Sequence, residues 1–185
     1  GVLKEEKIMR AILGIEVDGE SFGAELGHEA VESVLYYIPD TEENAGIFAA
    51  LAKHPFPRVR ERVAEKRNLD QETLMMLAED TDPRVVASVA YSEGFKEEAS
   101  LDQLKKIMER EDEQTLSNII AYCGSFSKIS VDEIAQAIKD INIQNPYVLL
   151  QAANSYDMPT NFIEELTEHP DASVSSAAKE QLNNR

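Results

Sequence analysis

Leu51-Ala52-Lys53-His54-Pro55-Phe56-Pro57-Arg58-Val59-Arg60-Glu61-Arg62-Val63-Ala64 returns, at an offset of 26 residues, as Leu77-Ala78-Glu79-Asp80-Thr81-Asp82-Pro83-Arg84-Val85-Val86-Ala87-Ser88-Val89-Ala90. Seven of the fourteen positions are identical: Leu, Ala, Pro, Arg, Val, Val and Ala. Looser copies follow. One runs from Met108 through Leu116, Ile120 and Ala121 and keeps a tyrosine, Tyr122 beneath Tyr91. The next keeps Pro146, Val148, Ala152 and Ala153, and the last Leu166, Val174 and Ala178. A fixed order at spacings of 26 to 32 residues is the signature of stacked structural units, none of which buries its apolar face alone.

Each unit reads as two short helices. Leu74, Leu77 and Ala78 share one face of the first by i, i+3, i+4 spacing. Pro83 then opens a second helix on which Val85 and Val89 stack at i, i+4, since proline's missing N–H is no loss in a first turn. Asp82, like Asn145 before Pro146, suits the N-cap because a short side-chain oxygen can accept from the orphan amides. Ser100 with Gln103 and Ser130 with Glu133 have capping-box spacing. The expected fold is all-α: an α-α superhelix of helix pairs over residues 47–185, closed by a diverged N-terminal cap over residues 1–46.

The phrase Leu77-Ala78-Glu79-Asp80-Thr81-Asp82-Pro83-Arg84-Val85, followed by Val89-Ala90, resembles the leucine-rich repeat variant, a relative of the HEAT-like helical repeats. Residues 51–78 match its spacing, including Glu72 and Leu74, and residues 79–182 match in outline, with extra residues at Ser92–Ala99 and near Gly124–Lys128. The resemblance implies a right-handed superhelix and little about function. Some members of that family carry an iron–sulfur centre on an N-terminal cysteine cluster; with Cys123 as the single cysteine, that activity is not carried over.

Residues 1–46 depart from the repeat. Glu5–Leu13 reads as a helix through Ile8, Met9 and Ile12, and Val31, Leu35 and Ile38 as another ending before Pro39. Between them, Gly14–Gly27 holds four of the eight glycines, and Val17-Asp18-Gly19-Glu20 is a turn signal. A diverged cap is the leading reading; a small hairpin at Ile15–Phe22 and a binding loop are the alternatives.

Composition bounds the function. The 185 residues carry 18 Lys+Arg against 35 Asp+Glu, a net charge of −17, with 43% hydrophobic residues to build a core. So acidic a chain is disfavoured as a general binder of nucleic acid or anionic membrane, both of which need clustered bases. A lone cysteine, no membrane-length apolar run and no signal-peptide layout point to a cytoplasmic protein. His54 and His169 occupy the slot held by Asp80 in the middle unit, so capping of the inter-helix turn explains them better than catalysis. His28, between Glu25 and Glu29, reads as a solvated helix residue, and Cys123 as a buried structural thiol. The carboxylate clusters at Glu79–Asp82 and Glu111–Glu113 lack calcium-loop spacing, and no nucleophile elbow or phosphate loop is present. We therefore expect no cofactor, no metal and no catalytic residue.

Charge is unevenly laid out. Residues 11–52 contain nine acids and no Lys or Arg, and residues 111–178 eleven acids against Lys128 and Lys139. Lys53–Arg67 holds six bases against Glu61 and Glu65. With Val59 and Val63 inward, Arg58 and Arg62 fall on one flank of the helix and Arg60 and Arg67 on the other, and Glu61 and Glu65 can pair locally. That segment would still suit an acidic peptide or the acidic flank of a neighbouring copy, which leaves a homo-oligomer open. The expected function is a non-enzymatic module binding a protein or peptide on its concave surface, with Arg58, Arg60, Arg62, Arg67, Tyr91 and Tyr122 as candidate contacts. The competing readings are an acidic decoy or inhibitor of a basic partner, and a HEAT-like enzyme of the DNA glycosylase or bilin lyase type. The glycosylase reading lacks its basic groove, and tryptophan is absent.

Overall fold

A computed structural model describes residues 9–185. Two strands, β1 (Ala11–Val17) and β2 (Glu20–Leu26), pair antiparallel from Ala11 opposite Leu26 to Val17 opposite Glu20. Asp18 and Gly19 turn the chain with φ of 52° and 83°, the paired positive values of a type I′ hairpin turn. The all-α expectation is thus corrected: the fold is mostly helical with a two-stranded sheet, and the hairpin stands where a helical cap was expected. Ile12 and Leu13 belong to β1 and not to a helix, because Leu13, Ile15 and Val17 alternate as a strand into a turn that requires positive φ. Ala11 lies in β1 as well, Met9 and Arg10 are not helical, and residues 5–8 of that expected helix lie outside the described residues.

Among the described residues twelve α-helices follow. In chain order they are α1 (His28–Tyr37), α2 (Ala45–Leu51), α3 (Pro57–Ala64), α4 (Gln71–Ala78), α5 (Pro83–Tyr91) and α6 (Glu93–Glu98). Next come α7 (Leu101–Met108), α8 (Glu113–Ala121), α9 (Val131–Ile141), α10 (Pro146–Asn154), α11 (Thr160–Leu166) and α12 (Ala172–Asn183). Their starts are set locally. Asp82 and Asn145 cap α5 and α10, each ahead of its first-turn proline, and both capping boxes form, at α7 and α9. Asn142 ends α9 in the left-handed region, with φ 61°.

Packing follows the i, i+4 pairs. α3 packs on α1, α5 on α3, α8 on α5, α10 on α8 and α12 on α10. The buried pairs along this ladder are Val31/Leu35, Val59/Val63, Val85/Val89, Leu116/Ile120, Val148/Ala152 and Val174/Ala178. Burying a Val, Leu or Ile side chain stabilises by about 1.5–3 kcal/mol, so these stripes hold the ladder together. α2, α4, α7 and α11 pack on α3, α5, α8 and α12, and α9 packs on α7. The stacking runs straight through residue 46, since α1 joins α3 by the same buried pair that joins α3 to α5.

The slot held by His54, Asp80 and His169 makes the same turn bond in each unit. His54 Nδ1 accepts from the Phe56 N–H at 3.1 Å, Asp80 Oδ1 from the Asp82 N–H at 2.9 Å, and His169 Nδ1 from the Asp171 N–H at 3.0 Å. Each side chain fastens the turn two residues on, as expected of capping. α6 was not anticipated: Ser92 caps it, and its buried Phe95 meets Phe126 edge to face. No helix of the described residues is long and apolar enough to cross a membrane.

Candidate functional site

The basic segment is the first candidate, and the side chains of Arg58, Arg60, Arg62 and Lys66 are already engaged. Arg58 Nε donates to Glu32 Oε1 at 2.9 Å, and Arg62 Nε to the same oxygen at 3.2 Å. Arg62 Nη1 also reaches both oxygens of Glu65 at 3.0 Å, the local pairing that helical spacing allows. Partial desolvation works against Glu32, but hydrogen bonds from Arg62 and Arg58 hold its carboxyl below the ordinary range. Arg60 lies on the other flank and is largely buried: it forks onto Asp80 at 2.7 and 3.0 Å and donates to the carbonyls of His54 and Pro55. The Arg67 and Asn68 N–H groups close onto Asp40, whose carboxyl they lower against its desolvation. Lys66 donates to the Leu35 and Ile38 carbonyls at the end of α1. These bonds tie the units together, so the segment does not gather Arg58, Arg60, Arg62 and Arg67 into one basic surface.

Tyr91 and Tyr122 are brought together. Their rings meet edge to face at 5.2 Å, and Lys96 Nζ lies 4.4 Å from the Tyr122 ring centre and 5.7 Å from that of Tyr91. Lys96 is 3% exposed, and its ammonium is also held by Glu93 at 2.8 Å. Two aromatic faces and a carboxylate offset the cost of covering that charge. The tyrosines therefore close the joint between α5, α6 and α8, while Tyr91 remains exposed to solvent.

What the ladder helices leave exposed is a run of grooves. The first, about 740 Å³, lies between α1 and α3 and is walled by Glu29, Glu32, Tyr36, Tyr37 and Lys66. The second, about 440 Å³, spans α3, α5 and α8, with Glu65, Ser88, Tyr91 and Asn118 on its walls. The third, about 430 Å³, lies between α8 and α10, with Gln151, Asn154, Tyr156 and Asp157. Exposed tyrosines, carboxylates and amides thus line successive inter-helix steps, the mix of rigid aromatic and adaptable polar groups that binding surfaces use. Gln151 Oε1 is buried there without a donor among the described residues. Sequence reading missed Tyr36 and Tyr156, which follow no repeat position, and Tyr37, which stands two residues after Leu35 as Tyr91 and Tyr122 stand after Val89 and Ile120. Comparison with known protein families, curated proteins and solved structures finds no match.

Cys123 is buried beside Ser155, and burial pushes its thiol up from its ordinary value, which suits packing over reactivity. Among the described residues no group of His, Cys, Asp and Glu is arranged to hold a metal ion.

Proposed function

We propose that the chain is a non-enzymatic protein-binding module: a HEAT-like superhelix of the leucine-rich repeat variant type whose ladder helices present a concave surface to a peptide or protein. The observation that carries this reading is the unbroken packing of α1, α3, α5, α8, α10 and α12, with an open groove at several of its steps. A surface of that kind suits an extended partner that contacts one unit after another. The arginines of α3 are taken up by Glu32, Asp80 and Glu65, so the partner's charge is not set by them. In the first groove Glu29, Glu32, Asp40 and Glu65 outnumber Arg62 and Lys66, an acidic excess that favours a basic partner over an acidic one.

A photo-crosslinking residue placed at Tyr36 or Tyr91, and at the exposed Asp102 on the covering helix α7 as control, tests the surface in native lysate. One partner protein captured from both groove positions and not from Asp102 supports the reading. Equal capture from all three positions, or none from the grooves, sinks it.

A further inference from the structure

The β1–β2 hairpin presents chemistry that its fold leaves unused. Residues directly opposite in an antiparallel pair share a face, so Leu13, Ile15 and Val17 lie with Glu20, Phe22 and Ala24 on one side. Ile12, Gly14 and Glu16 lie with Ser21, Gly23 and Glu25 on the other. Ile12, Leu13, Ile15, Val17 and Phe22 are all exposed, Phe22 at 55%. β1 pairs only with β2 among the described residues. The two-residue turn makes Val17 and Glu20 a hydrogen-bonded pair, so the N–H and C=O groups of Ile12, Gly14 and Glu16 point to the open edge. Edge strands are ordinarily blunted by charged side chains, lysine above all, by proline or by a bulge. β1 carries one charge, Glu16, and neither lysine nor proline, and its register with β2 is continuous.

Charge selects the occupant. The hairpin carries Glu16, Asp18, Glu20 and Glu25, and residues 11–52 hold nine acids and no Lys or Arg. Arg10, just before β1, is spent on Glu25 at 3.0 Å. A second copy would double the hairpin's carboxylates without adding a base to offset them; a cationic strand would neutralise them. We propose that the open edge of β1 receives an extended segment of a basic partner protein, added as a third strand. The segment alternates apolar residues, which continue the face of Leu13, Ile15 and Val17, with lysines or arginines set beside Glu16. This surface is separate from the ladder grooves, and the two stand or fall independently.

A peptide of about nine residues alternating lysine with valine and isoleucine is the probe, titrated into the whole labelled chain and followed by amide NMR and hydrogen exchange. Binding shifts the amides of residues 11–17 and slows exchange of the Ile12, Gly14 and Glu16 N–H groups. Raising the salt from about 50 to about 500 mM weakens it roughly tenfold, and Glu16→Lys weakens it by a similar factor. Gly14→Pro deletes one edge donor that β2 does not use, and weakens binding at least about tenfold while the β2 amides keep their protection. Four results of the titration overturn the proposal: shifts confined to the ladder helices, equal binding by a peptide with glutamate for lysine, undiminished binding by both Gly14→Pro and Glu16→Lys, or no binding. Slow exchange at Ile12, Gly14 and Glu16 without peptide also overturns it. It would give the edge to residues 1–8 or, if sedimentation shows a dimer, to a second copy.

Discussion

Replacing Asp80 by alanine removes three bonds at once. Its carboxylate takes both prongs of Arg60, at 2.7 and 3.0 Å, and caps its own turn through the Asp82 N–H at 2.9 Å. Side-chain exposure is 13% for Arg60 and 9% for Asp80, so the pair behaves more like a buried ion pair than a surface one. Breaking a buried pair costs about 3–5 kcal/mol, an exposed one under about 1 kcal/mol. The stranded Arg60 keeps the His54 and Pro55 carbonyls, which lowers the penalty, while the lost turn bond adds about 1 kcal/mol. Asp80→Ala is therefore expected to cost about 3 kcal/mol, or about 6–12 °C in Tm for a chain of this size. Asp80→Asn keeps the turn acceptor and is expected to cost about 2 kcal/mol. Urea unfolding followed by helical circular dichroism measures both, and a cycle with Arg60→Met should return a coupling of about 2 kcal/mol. Asp80→Ala within about 0.5 kcal/mol of the wild type, or a coupling near zero, would refute the reasoning.

Acid should weaken the fold through His54. Burial, and then the charges of His28 and Arg60, hold it below its ordinary value, so the folded chain takes up this proton less readily than the unfolded one. Its contribution is complete above the unfolded value, about 6.5, and is lost as pH falls through the lower folded value. His54→Asp, the residue the middle unit uses in that slot, should flatten the fall in unfolding free energy between about pH 7.5 and about pH 5.5; an unchanged slope would exclude His54 as its source. Phe95→Ala empties a fully buried site against Phe126 and should cost about 3–4 kcal/mol in the same urea assay. A cost below about 1 kcal/mol would mean that α6 is not built into the core.

The helix starts were legible because their signals are local: a cap residue and its acceptor lie within three positions of the amides they serve, as at Ser100, Ser130, Asp82 and Asn145. The core stripes were legible because an i, i+4 pair at a repeating offset names its own face. The hairpin was harder, since its glycines and isolated apolar residues fit cap, loop and strand alike, and the decisive Asp18–Gly19 turn was read without committing the strands beside it. α6 escaped because six residues including Gly94 carry too short a period to show. The fate of the arginines escaped for a different reason. Glu32 and Asp80, which hold Arg58, Arg60 and Arg62, come from neighbouring units 20 to 30 residues away, and only the stacking puts them in reach.

The ladder has a consequence for how the chain reaches its fold. Each of its helices has its main contacts with the one before and the one after, so few native contacts close a loop much longer than a single unit. The entropy of closing such loops is small and does not grow as units are added. Folding can then begin at whichever neighbouring pair orders first and spread outward in both directions, at a rate set by the unit and not by the chain. The same economy lets the chain gain or lose a unit at little cost to the others, provided the two exposed ends are still covered.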